Sequence, residues 1–111
     1  MSLKVSIDGV EYELHATFKA YCAIEKALGQ KYSNIIMNFS TGQVGLLDVA
    51  QILCIAINVN EEKVNLDKIG AALIQTGYLT FSEVIINYLS IGLLGPENAQ
   101  KNISAKKNMN H

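Results

Sequence analysis

The segment Thr17-Phe18-Lys19-Ala20-Tyr21-Cys22-Ala23-Ile24-Glu25-Lys26-Ala27-Leu28-Gly29 constrains the fold more than any other part of the chain. Thr17 can lend its hydroxyl to an orphan amide as an N-cap, and Gly29 is placed to end the segment in a left-handed conformation. The stretch therefore reads as a helix over 17–28. At about 100° per residue, Phe18, Tyr21, Cys22, Ile24 and Leu28 share a wide apolar face, with Lys19, Ala23, Lys26 and Ala27 turned outward. Glu25 interrupts that face between Phe18 and Tyr21. A carboxylate buried there without a partner is costly, so it must find hydrogen bonds. Two placements supply them. In one, the stem packs while the carboxylate reaches water at the helix edge. In the other, Glu25 accepts from backbone amides at the start of another helix, where the dipole favours negative charge. No neighbouring residue offers a partner for acid–base chemistry, so Glu25 and Gly29 are assigned structural roles.

The residues before this helix alternate. Leu3, Val5 and Ile7 stand against Lys4, Ser6 and Asp8, and Val10, Tyr12 and Leu14 against Glu11, Glu13 and His15, which is strand periodicity. Asp8-Gly9 lies between the two runs. That dipeptide tolerates the positive φ angles of a type I′ turn, so a hairpin over 3–15 is expected. A lone hairpin is marginal in water, so one face must lie on helices while the outer edge stays open to pairing, as a docking surface or simply as a lid.

Four more helices follow. Tyr32 to Phe39 makes two or three turns before Ser40-Thr41-Gly42 stops it, and 46–58 is apolar almost all round, as a central helix would be. Asn65 caps 66–76, which ends at Gly77 and carries Leu66, Ile69, Ala72 and Leu73 on its apolar side. Thr80-Phe81-Ser82-Glu83 has capping-box form and opens a last helix over 81–94, more apolar than one contact needs. Phe81, Ile85 and Tyr88 are the residues expected to be offered to a partner. Gly95-Pro96 ends that helix, and 96–111 reads as a disordered polar tail. The whole is a mainly α fold with a small N-terminal β-hairpin, α+β, in which the hairpin packs on four to five short helices within a single domain, 1–95.

Composition narrows the function. All nine basic residues are lysines, and the lack of arginine removes the side chain best suited to bidentate phosphate and guanine contacts, so nucleic acid is not expected as a partner. The net charge of −1 divides into +3 from Lys101, Lys106 and Lys107 and −4 on the rest. No run reaches the roughly 18 apolar residues of a membrane span, and the N-terminus has no signal-peptide core, which points to the cytoplasm. Cys22 and Cys54 fall on apolar faces without Cys-x-x-Cys spacing and read as buried free thiols.

No chemistry emerges from the remaining motifs. The 58–65 loop alternates oxygen-bearing side chains, yet it lacks the glycine of a calcium loop and has Ile69 where the closing glutamate belongs. Gly42-Gln43-Val44-Gly45 lacks the Lys-Ser/Thr pair of a phosphate loop, and Asp48 is explained by capping. His15, at a strand end, has no triad partner at motif spacing. Catalytic, cofactor and metal sites are therefore not assigned.

The order of features is a short hairpin, a helix closing with Ile24-Glu25-Lys26-Ala27-Leu28-Gly29, a glycine-interrupted linker, an Asp48-bearing helix, an Asn65/Asp67 helix ending at Gly77, and a final amphipathic helix. Over roughly residues 3 to 94 this resembles the small tail assembly chaperones of tailed phages, in particular those of gene transfer agents and related prophages. The resemblance implies a non-enzymatic protein that binds the tape measure protein or other tail proteins during morphogenesis. It supplies no catalytic residues, and the missing arginine and the lysine-asparagine tail depart from many relatives. Two other readings stand beside it. One is an obligate homodimeric scaffold or small regulatory subunit that consumes its own apolar surface. The other is an enzyme or small-ligand protein with a closed apolar pocket and a few convergent polar groups, in which mutation of Glu25 or His15 abolishes an activity without unfolding the chain.

Overall fold

The computed structural model describes residues 3–101. Strands β1 (Leu3–Ile7) and β2 (Val10–Leu14) pair antiparallel with Ile7 opposite Val10, so the loop is the two residues Asp8 and Gly9. Their φ angles are 53° and 78°, both positive as a type I′ turn requires. Leu3, Val5 and Ile7 share a face with Leu14, Tyr12 and Val10, and Val5, Ile7 and Leu14 are buried on it.

The first helix, α1 (Phe18–Leu28), begins where Thr17 Oγ1 accepts from the Ala20 amide at 3.2 Å. It ends at Gly29, whose φ of 63° is left-handed, and the Glu25 carbonyl accepts from the amides of both Gly29 and Gln30. Its fully buried residues are Ala20 and Ile24, and of the expected face Ile24 is buried and Tyr21, Cys22 and Leu28 are half-buried, while Phe18 departs from it. Phe18 is 86% exposed, which corrects the expected face. The physical reason is that α1 packs on the central helix with Ala20 and Ile24 fully buried, and Phe18, two residues before Ala20, points nearly opposite to it.

Helix α2 (Tyr32–Ser40) is joined to α1 by Glu25, whose Oε2 accepts from the Tyr32 amide at 2.8 Å. The second of the two placements open to Glu25 is the one adopted. Helix α3 (Leu46–Asn58) starts where Asp48 Oδ2 accepts from the Gly45 amide at 3.0 Å. It buries Val49, Ala50, Ile52, Leu53, Ala56 and Ile57 and packs against α1, β2 and both later helices, so it is the centre of the core. The 58–65 connection is organised by Asn58, whose Oδ1 accepts from the Lys63 and Val64 amides while its Nδ2 donates to the Val64 carbonyl.

Helix α4 (Leu66–Thr76) is capped by Asn65 Oδ1, which accepts from the Lys68 amide at 2.8 Å. Ile69, Ala72 and Leu73 are buried, whereas Leu66, in the first turn, is 38% exposed. The expected capping box at Thr80 is absent. A 3-10 turn over Tyr78–Phe81 runs straight into α5 (Ser82–Leu94), so no extended residue precedes that helix, and the Thr80 hydroxyl donates to the Thr76 carbonyl instead.

Tail residues 96–101 also depart from expectation. They form a helical turn after Gly95, with the Ala99 amide donating to the Gly95 carbonyl and Ala99 fully buried. Pro96 lacks an amide that a first helical turn would leave unpaired, so it starts this turn as readily as it ends α5. The rest of the expected disordered tail lies outside the described residues. Cys22 and Cys54 are free but only half-buried, which corrects the expectation of buried thiols. The fold is thus α+β, a small hairpin packed on short helices.

Candidate functional site

The main-chain pattern of β1 defines the site. In a two-residue hairpin the residues flanking the loop exchange both hydrogen bonds, and such pairs alternate along the ladder. Ile7, Val5 and Leu3 therefore bond inward to β2, while the amides and carbonyls of Lys4 and Ser6 point away from it. Among the described residues no backbone bond is made by Lys4 or Ser6 on that outer edge. Both residues are exposed.

This open edge is one wall of a cleft of about 520 Å³. The opposite wall is the end of α4, with Gln75 and Thr76, followed by Thr80 of the 3-10 turn. Ala72, Phe81 and Val84 contribute apolar surface between the walls, and Asp8 and Gly9 close the end at the hairpin turn. Lys4 Nζ lies 3.4 Å from Glu11 Oε1 across the hairpin, which balances the lysine charge at the mouth. The arrangement sets main-chain donors and acceptors beside an apolar floor.

The residues singled out from sequence divide here. Phe81 and the hairpin edge meet in the cleft. Ile85 and Tyr88 do not, because both are fully buried, and this corrects the expectation that they face a partner. Phe81 itself is 6% exposed, so it serves as floor rather than as a projecting anchor. An apolar pattern covering most of a helix shows how much surface is buried, not which side stays open.

Tyr88 is held in a cluster that joins four parts of the chain. Its hydroxyl donates to the His15 carbonyl at 2.6 Å, the Tyr21 hydroxyl donates to the Tyr88 carbonyl at 2.7 Å, and the Tyr32 hydroxyl donates to the Leu89 carbonyl. The rings of Tyr21 and Tyr32 meet edge to face at 5.4 Å, and those of Tyr21 and Tyr88 lie 4.9 Å apart. Gly92 makes room for them, since a Cβ there would stand 2.9 Å from Tyr32 Cζ and 3.1 Å from Tyr21 Cζ. Burial pushes the Tyr21 phenol up to about 12, against the lowering effect of a backbone bond at Gly92. Burial likewise raises Tyr32 and Tyr88, with Tyr21 nearby adding to both. Sequence reading missed this cluster because its hydroxyl bonds span 57 to 73 residues; a glycine inside so apolar a helix was the available signal.

His15 sits at the end of β2, its amide donating to the Ala56 carbonyl at 2.9 Å and its Nδ1 3.8 Å from Glu13 Oε2. Glu25 and Asp48 each serve a helix start. Among the described residues no group of three or more His, Cys, Asp or Glu is placed to hold a metal ion, and no single helix is long and apolar enough to cross a membrane. Comparison with known protein families, characterised proteins and solved structures finds no match to this chain.

Proposed function

We propose that this chain is a non-enzymatic, cytoplasmic assembly chaperone of the phage-tail type, which holds a tape measure protein or another tail protein before it is built into the tail. The observation that carries the reading is the open outer edge of β1 beside a cleft floored by Phe81 and Val84. A chaperone must hold its client reversibly, and a short row of main-chain groups over a modest apolar floor binds without a deep anchoring pocket. The resemblance in feature order, from the hairpin through the Glu25–Gly29 helix end to the last apolar helix, supplies the tail proteins as clients.

The test is capture of the tagged chain from its own host under prophage-inducing conditions, with bound proteins identified by mass spectrometry. Recovery of a tail protein in stoichiometric amount is the expected result. Recovery of the chain alone, as a dimer that persists on dilution, would instead support the scaffold reading, which draws on the exposed apolar residues Leu47, Ile74 and Leu79.

A further inference from the structure

Resting on the chaperone reading of this site, we infer that the β1 cleft takes an extended, uncharged peptide segment as an added strand, bonded to the main chain of Lys4 and Ser6. The unpaired groups choose the occupant. A helical client has its own amides and carbonyls bonded internally, so it leaves the edge unsatisfied, whereas an extended backbone presents donors and acceptors at the same two-residue repeat. With five residues, β1 is about 17 Å long, enough for four or five residues of an added strand.

Side chains of the added strand would alternate between two directions. One set meets Ala72, Phe81 and Val84, which favours apolar residues at every second position. The other set faces outward. Charge favours an uncharged segment, because Lys4 is already paired with Glu11 and, among the described residues, the other ionisable group in the lining is Asp8, at the turn. The segment of the client that docks is therefore one not yet folded or assembled, which is the state a chaperone must recognise.

The probe is a capped pentapeptide alternating threonine and valine, compared with the same peptide N-methylated at every amide. Amide hydrogen exchange is followed residue by residue on the whole chain. The unmethylated peptide, at millimolar concentration, is expected to slow exchange at Lys4 and Ser6 several-fold and leave Val5 and Ile7 unchanged, since those amides already bond to β2. The methylated peptide is expected to do nothing. Ser6→Pro gives a second arm: the Ser6 amide has no partner within the hairpin, so proline there keeps the ladder while removing a donor from the edge. The variant is expected to retain cooperative melting and lose the response at Lys4.

Unchanged exchange at Lys4 and Ser6 would overturn the inference, as would an equal effect of the methylated peptide. So would protection of these two amides in the chain alone that grows with its concentration, which would make a second copy the occupant. The two readings separate cleanly. A tail protein recovered from the host without protection at Lys4 and Ser6 upholds the chaperone and removes the added strand. Protection by the peptide without any tail protein does the reverse.

Discussion

The Tyr32 amide, first in α2, donates to the Glu25 carboxylate at 2.8 Å, so one side chain on α1 sets where and at what angle the next helix begins. Gly29 turns the chain between them, and no side chain caps α2 from Lys31, which leaves Glu25 as the negative group at that helix start. The bond is charge-assisted and half-shielded. Glu25→Ala is therefore expected to cost about 1–2 kcal/mol, which lowers the melting temperature by roughly 5–10 °C. Glu25→Gln should recover part of the loss, because an amide oxygen still accepts. An unchanged melting temperature in Glu25→Ala would show that α2 is held without it.

Tyr88 tests the cluster. With the ring fully buried and its hydroxyl on the His15 carbonyl, Tyr88→Phe is expected to destabilise by about 1–2 kcal/mol, read by denaturant titration. A polar substitution such as Tyr88→Asp is expected to unfold the chain, so loss of binding in it would say nothing about a docking surface.

Gly92 sets two effects against each other. Alanine in a helix interior gains about 1 kcal/mol over glycine, while overpacking costs about 1–3 kcal/mol. Tyr32 Cζ at 2.9 Å is fixed by the ring stacking on Tyr21 and by the hydroxyl bond to Leu89, so the clash should win and Gly92→Ala should melt lower. In a Tyr32→Phe background the hydroxyl oxygen, which lies nearer still to the added Cβ than Cζ does, is gone, and the penalty of alanine should shrink by about 1 kcal/mol, a coupling visible in a double-mutant cycle.

The same cluster predicts alkaline behaviour. Folded Tyr21 ionises near 12 and Tyr32 and Tyr88 are also raised, while the unfolded groups ionise near 10. Above about pH 10 the unfolded state releases protons that the folded state keeps, so stability is fully present below that value and falls as pH rises through the folded pKa. Phenolate absorbance from Tyr21, Tyr32 and Tyr88 should appear only together with loss of helical circular dichroism. A single early rise from a chain that stays folded would contradict the burial.

Local signals carried much of the fold. Asp8-Gly9 between alternating runs specified the hairpin, and Thr17, Gly29 and Asn65 marked helix ends because capping chemistry acts within four residues. Faces were harder. Phe18 and Ala20 both suited a buried stripe by composition, and only the packing of α1 on α3 decides for Ala20. In α5 the apolar residues run almost all round, so periodicity did not distinguish the floor position of Phe81 from the fully enclosed Ile85 and Tyr88. The open β1 edge was legible from the hairpin alone, whereas the cleft beside it depends on where α4 ends.

The proposed hold of the β1 edge on a tail protein is tested by comparing capture by the unaltered chain and by Ser6→Pro from induced host cells, after both are shown to melt cooperatively. A tail protein is expected to be bound to the first and lost from the second. Equal recovery of that protein by both, or its absence from both, would contradict it.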